Sequence, residues 1–383
     1  MERIEGINRD RIAWCCADTG ITPDLLASEL NIAPATFERV MSGQGGLTFN
    51  QLKSIAEYFG RGVLFFLEEG PIEVERVHTP AFRTLANQKP EMSAKMRTLI
   101  ERVEKQRDVY ISLREDLENT SLTRFVHPDL PVSDPKASAE TARKWLGLSD
   151  RNDFDTYRDA IEAKGILVFR SNGYGGKWQI AKESAILGFS LYHPECPVIV
   201  VKKQRRDAEQ AFTLMHELGH LLLHKSSSID DEGDFHDAHS VHERSANAFA
   251  GCLLVPDRLL ATLDPSDRPE TVSQYGSWLD PQRKAWGVSA EVILRRLVDV
   301  GRLPQEDYAA YRAWISKLDI PQSGSGSREY RHREPKHIFG DRFVRTVLDS
   351  LSAGYITLNR ATRYLDGLKV SDLHQLERYY AGT

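Results

Sequence analysis

The most constraining feature of the chain is one uninterrupted stretch. Ala211-Phe212-Thr213-Leu214-Met215 leads into His216-Glu217-Leu218-Gly219-His220, and Leu221-Leu222-Leu223 follows. A helix apolar on every side must be buried, yet this one carries two imidazoles and a carboxylate. Polar groups buried without compensation are costly, so the fold has to supply them a partner. Four residues span about 400° of helix, which sets His216 and His220 one turn apart with ~40° of offset. Both rings can then reach one cation at about 2.0–2.1 Å. Glu217 flanks them in the H-E-x-x-H spacing, placed to take a proton from a water whose pKa a bound zinc ion lowers towards neutrality.

A catalytic zinc site takes a third protein ligand and keeps one position open. Downstream candidates are Asp230, Asp231, Glu232, Asp234, His236, Asp237, His239, His242 and Glu243. Residues 226–241 lack apolar periodicity and read as a solvated loop. Glu243 instead opens an amphipathic helix, His242–Leu254, with Ala246, Phe249, Ala250, Leu253 and Leu254 on its apolar side. A ligand on a packed helix is held more firmly than one on a loop. Glu243 is therefore the favoured third ligand and His242 the alternative. Asn247, one turn after Glu243, is placed to hydrogen-bond a ligand histidine. His224 lies one turn beyond His220. As a fourth ligand it would close the site, so it reads as a partner of a ligand or as a helix-end histidine. The expected ion is Zn²⁺, with Mn²⁺ tolerated by such a donor set.

The rest of the chain bounds the context. A length of 383 residues, 41% hydrophobic and 27% charged, suits a globular protein of two or three domains. No run approaches the roughly 18 apolar residues of a membrane span. The start, Met-Glu-Arg-Ile-Glu, lacks the pattern of a signal peptide, so the expected location is the cytoplasm, with no membrane partner. Cys15 and Cys16 are adjacent while Cys196 and Cys252 stand alone. No Cys-x-x-Cys pair exists, and all four read as small buried hydrophobes. A net charge of −5 argues against a protein that coats nucleic acid.

Residues 1 to about 70 read as short helices, Asp24–Leu30, Pro34–Met41 and Gln51–Phe59, with Asn31-Ile32-Ala33 as a tight turn. In a helix-turn-helix the second helix meets base edges with its N-terminal side chains. Here that places Thr36 and Arg39 as the DNA-contacting candidates. The segment holds six Lys/Arg against ten Asp/Glu, a net −4 that offers little to phosphates; docking to a protein or forming a homodimer is the competing role. Residues 91–118 form a long charge-laced helix. Strand candidates follow at Ile166–Arg170, Ala185–Tyr192 and Val198–Lys202, the second a candidate edge for aligning a substrate backbone. Gly173-Tyr174-Gly175-Gly176 reads as a loop and Pro321–Ser327 as a flexible linker. The tail beyond it carries Arg328, Arg331, Arg333, Lys336, Arg342 and Arg345 against Glu329, Glu334 and Asp341.

Two blocks, Phe212–His224 and Glu243-Arg-Ser-Ala246-Asn247-Ala-Phe249-Ala250 followed by Leu253-Leu254-Val255-Pro256, together resemble the ImmA/IrrE family of metallopeptidases. Residues 1–120, with Leu47–Leu52 and Phe82-Arg83-Thr84, look like the XRE-type helix-turn-helix and connector fused to some members. The resemblance implies a gluzincin-like site with Glu243 as third ligand. The expected fold class is α+β, mostly helical, with an N-terminal helix-turn-helix, a zincin-like core carrying a small antiparallel sheet, and a helical C-terminal region. The corresponding domains are 1–72, a connector at 73–132, the metallopeptidase at 133–265, a helical extension at 266–322 and a terminal unit at 323–383. Family members cleave or inactivate a regulatory protein, such as a repressor or a partner in a toxin–antitoxin or stress-response module. The alternative is a non-proteolytic transcriptional regulator or antitoxin that binds its partner through the same fold.

Overall fold

The computed structural model describes residues 3–19, 21–59, 61–72, 85, 88, 92–117, 124–171, 176–181, 184–204, 206–231, 240–317 and 328–382. Phe82-Arg83-Thr84, the Gly173-Tyr174-Gly175 loop, the 321–327 linker and the candidates Glu232, Asp234, His236, Asp237 and His239 lie outside these residues. The chain forms two compact units, Met1–Val103 and Glu104–Thr383. Among the described residues, no helix is long and apolar enough to cross a membrane, and all four cysteines are buried and free.

The first unit is built from α1 (Arg9–Thr19), α2 (Pro23–Glu29), α3 (Pro34–Met41) and α4 (Phe49–Tyr58), followed by a 3₁₀ turn at Val63–Phe66. They close on a core of Ile12, Leu26, Phe37, Val40, Leu52, Ile55 and Phe66. Local chemistry sets the helix starts. Thr22 accepts from the Leu25 N–H ahead of Pro23, and Thr48 with Gln51 forms a reciprocal capping box. Asn31, at φ 52°, turns the chain between α2 and α3. Two short helices joined by a tight turn therefore lie close to where the sequence places them. Thr36 is half-buried near the start of α3, and the exposed Arg39 reaches the Gln44 carbonyl at 3.5 Å.

The boundary between the units falls within α5 (Ala94–Asp116). In the second unit α6 (Pro135–Leu146) and α7 (Phe154–Glu162) precede β1 (Leu167–Arg170), β2 (Ile186–Leu191) and β3 (Val198–Val201). Then come α8 (Asp207–Gly219), a single π-helical turn at His220–His224, β4 (Ser228–Asp231) and α9 (Val241–Leu254). The helical extension includes α10 (Asp280–Trp286), α11 (Ala290–Asp299) and α12 (Gln305–Ile315). The last elements are α13 (Glu334–Ser352), α14 (Leu358–Tyr364) and α15 (Val370–Ala381).

The sheet order is β1-β3-β2-β4, and three of its features depart from expectation. It is mixed rather than antiparallel: β1 runs parallel to β3, while β2 is antiparallel to both β3 and β4. Strand composition reports burial and is silent on a neighbour's direction. Second, β2 is paired on both sides, so its backbone offers no free edge to a substrate. Third, Ser228–Asp231 is a strand, not part of a solvated loop. Four residues are too few to show alternation, and the order comes from pairing with β2.

α13 kinks at Gly340 (φ 83°, ψ 170°) and packs on β1. Arg158, on α7, locks that contact: its guanidinium donates to the carbonyls of Val168 (2.9 Å), His337 (3.0 Å) and Ile338 (3.0 Å). Buried Glu162 lies 3.3 Å from Arg158 and accepts from the Arg342 N–H at 3.0 Å, capping the helix segment beyond the kink. Arg342 itself donates to the Glu162 carbonyl and to the Tyr110 hydroxyl, so this basic residue of the tail is spent inside the unit. Arg158→Met should strand Glu162 and three carbonyls in the interior. A loss of about 3–5 kcal/mol is expected, read as a lower urea midpoint and early proteolytic release of residues 328–382.

Candidate metal centre

The centre is assembled by α8, its π-helical extension, β4 and α9. From Thr213 onward α8 is buried, sunk in the core through Leu214, Met215 and Leu218 with Leu221 following, and this burial takes His216, Glu217 and His220 with it. The helix widens into a π turn at His220–His224, a feature that recurs at functional sites. The Leu222 carbonyl within that turn is met by His127 Nε2 at 2.8 Å. α9 begins at Ser240, whose hydroxyl accepts from the Glu243 N–H, so Glu243 sits in the first turn. α8 and α9 approach closely because Gly219 has no side chain. A Cβ there would lie 3.2 Å from the Phe249 ring and 3.3 Å from the Ala246 backbone.

This approach brings four side chains to one point. His216 Nε2 and His220 Nε2 are 3.0 Å apart. Glu243 Oε2 lies 3.3 and 3.5 Å from them, and Asp230 Oδ2 lies 3.4 and 3.6 Å from them. Donors of a tetrahedral zinc ion with bonds of 2.0–2.1 Å stand about 3.3–3.4 Å apart, so the spacing suits such a cation. Charge points the same way. Glu217, Asp230 and Glu243 bring three carboxylates to the centre, and among the described residues none of them pairs with a lysine or arginine. Desolvated like charges require a counter-ion. Two imidazoles and two carboxylates form a donor set that fits a divalent metal.

The expected ligands His216, His220 and Glu243 thus converge, and the structure adds Asp230. Asp230 is 1% exposed, held by Ser228 Oγ at 3.1 and 3.2 Å from its two oxygens. Its sequence neighbourhood reads as solvated acid, and only the pairing of β4 with β2 turns it inward. His242, the alternative ligand, is outside the donor group and stacks on His224 at 4.2 Å. His224 Nδ1 lies 3.1 Å from His220 Nδ1, and its Nε2 lies 2.8 Å from Ser245 Oγ. Asn247 is buried and faces a cavity beside Thr213.

Glu217 occupies a niche cut for it. A Cβ on Gly188 of β2 would fall 3.0 Å from Glu217 Oε1 and 2.7 Å from the Thr213 methyl. A glycine inside a strand signals such close approach, so the run Leu187-Gly188-Phe189 carries a cue to the niche in the sequence itself. Neither Glu217 oxygen makes a hydrogen bond of good geometry, although Ser190 and Asp230 lie beside it. Burial, then Asp230, pushes the Glu217 carboxyl well above the usual range. At His216 burial opposes the charged ring, yet Asp230 and Glu243 outweigh it and raise the imidazole to about 9. Burial and the neighbouring rings His220 and His242 lower His224 to about 4.

A cation must displace the His216 proton to use its Nε2 lone pair. Below about pH 9 the cation-free site holds that proton. Apparent metal affinity should therefore weaken about tenfold for each unit of pH lost between 8 and 6. Competition with a chromophoric chelator across that range measures the slope, and a pH-independent Kd would refute the assignment.

Residues 161–298 match the profile of the IrrE N-terminal-like domain, peptidase family M78. Comparison with curated proteins finds no match. The matched span runs from the end of α7 into α11 and contains all four donors and Glu217. This portion of the chain is similar to an IrrE-type metallopeptidase domain.

Proposed function

We propose that the protein is a zinc-dependent endopeptidase that cleaves or inactivates a regulatory protein partner, with a helix-turn-helix at its N-terminus that tethers it to DNA or docks it. The observation that carries the reading is Glu217: a fully buried carboxylate, beside four metal-donor side chains, in a niche that exists because residue 188 is glycine. When bound, the zinc ion polarises the scissile carbonyl and acidifies water. His216, His220 and Glu243 would hold it, with Asp230 in reach as a fourth donor. Glu217 takes the proton from the attacking water and returns it to the departing amine. A carboxyl that burial raises above its usual range can both take up and return a proton.

The imidazole chain orients the second ligand. With its Nε2 lone pair aimed at the donor group, His220 carries its proton on Nδ1 and donates to His224 Nδ1. His224 must then be neutral with its proton on Nε2, donating to Ser245 Oγ, which donates to the His242 carbonyl at 2.8 Å. The lowered pKa of His224 keeps it neutral for this role. Such outer partners set ring orientation and ligand basicity.

One observation favours a second reading, that of a non-proteolytic regulator or antitoxin. Four protein donors can close a tetrahedral site, as structural zinc does. Glu217 argues against it. A closed structural site has no use for an additional desolvated carboxylate, which costs stability where it stands. Glu217→Gln keeps size and polarity while removing the base. The variant should bind zinc like the parent yet cleave the partner protein at least about 100-fold more slowly, followed by fragment analysis on gels. Undiminished biological action of the variant would favour the regulator.

A further inference from the structure

A cavity of about 370 Å³ lies beside the helices that carry the metal donors and is built in part by elements the mechanism does not use. One wall is the face of α8 one turn ahead of the motif, Phe212 and Thr213, with Leu187 of β2 beside it; Asn247 of α9, one turn beyond Glu243, closes the metal end. The opposite wall comes from the helical extension, Val292 on α11 and Tyr308 on α12. The cavity is thus continuous with the helices that present the metal donors and Glu217. Its volume is at the lower end of the range for small-ligand sites, about 300–1,000 Å³, and exceeds what one bulky side chain needs.

The chemistry of the walls narrows the occupant. Two charged residues on the extension side are already engaged within the protein. Glu291 pairs with Arg312 at 3.1 Å and accepts from the Tyr308 hydroxyl at 3.3 Å; Arg295 pairs with Asp299 at 3.4 Å. Gln204, Ser289 and Asn247 add uncharged polar groups, and the apolar surface comes from the Leu187, Phe212 and Val292 side chains, the Thr213 methyl and the Tyr308 ring. We propose that this cavity is the specificity pocket of the peptidase, taking a large uncharged apolar side chain, aliphatic or aromatic, from the substrate residue next to the bond cleaved. The inference rests on the peptidase reading. It also assigns a role to the extension, because the family-matched span stops at residue 298 and leaves Tyr308 on the outer wall beyond it. Tyr308 then adds to the pocket a wall from outside the matched domain.

The test separates the pocket from the chemistry by using binding. Dye-labelled capped octapeptides of Ser, Gly and Ala carry one guest residue, Phe, Leu, Ala, Ser, Arg or Glu, at either central position. Their Kd for the full-length, zinc-loaded Glu217→Gln protein is measured by fluorescence anisotropy. Phe and Leu guests should bind about tenfold or more tighter than Ala or Ser, and the charged guests Arg and Glu no better than these. Val292→Trp, which fills the cavity, should abolish the preference for Phe and Leu. Val292→Ala, the safer change for folding, should extend the preference to a Trp guest. Absent binding, equal affinity for every guest, or a preference that neither Val292 variant alters would each overturn the pocket. Selective binding that both variants shift, without cleavage of the same peptides by the wild type, would keep the pocket and remove the peptidase reading instead.

Discussion

Everything around the centre depends on one electrostatic demand. Three carboxylates and two imidazoles are held together in the interior of the second unit, out of reach of any lysine or arginine among the described residues. Protons answer part of that demand, which is why His216 and Glu217 are both pushed upward and Asp230 downward. A divalent cation answers it more completely, because a single ion offsets two charges at once at the distances the donors already keep. The helices and strands nearby can be understood as a frame for bearing this cost. The second half of α8 is buried, α9 is pressed against it at Gly219, and β2 gives up a side chain at Gly188.

That frame extends outward through contacts of the same kind. Arg158 and Glu162 form a second buried charged group, and they differ from the first in being self-sufficient. The guanidinium is satisfied by carbonyls and by the carboxylate, and the carboxylate also caps a helix. Here charge secures the fold, joining the C-terminal helices to β1. At the metal centre it leaves a deficit that a ligand must fill. A structural ion pair and a functional site differ, in this molecule, by whether the protein's own groups suffice.

Much of the centre was legible in residue order because its logic is helical. His216, Glu217 and His220 fall on neighbouring faces of one helix. Glu243 could be chosen among nine candidates because it opens a helix whose apolar face is evident in Ala246, Phe249, Ala250 and Leu253. Ser240, a natural cap three residues earlier, marks that start. Asp230 stood among the same nine, but nothing in residue order set it apart from the other acids of its segment. It sits on a four-residue strand that exists through its hydrogen bonds to β2, and without those bonds Ser228–Asp231 has the composition of a solvated turn.

The amino-acid sequence by itself determined the helices, their starts and the three motif residues, since 3.6-residue periodicity and capping act over a few neighbours. It also contained the two glycines, though not the reason for them. Tertiary structure alone decided the mixed direction of the sheet, the inward turn of Asp230 and the spacing of α8 from α9. It also decided which walls enclose the cavity beside the centre. Each of these joins residues far apart in the chain, where the outcome depends on which surfaces pack together and which charges are thereby denied water.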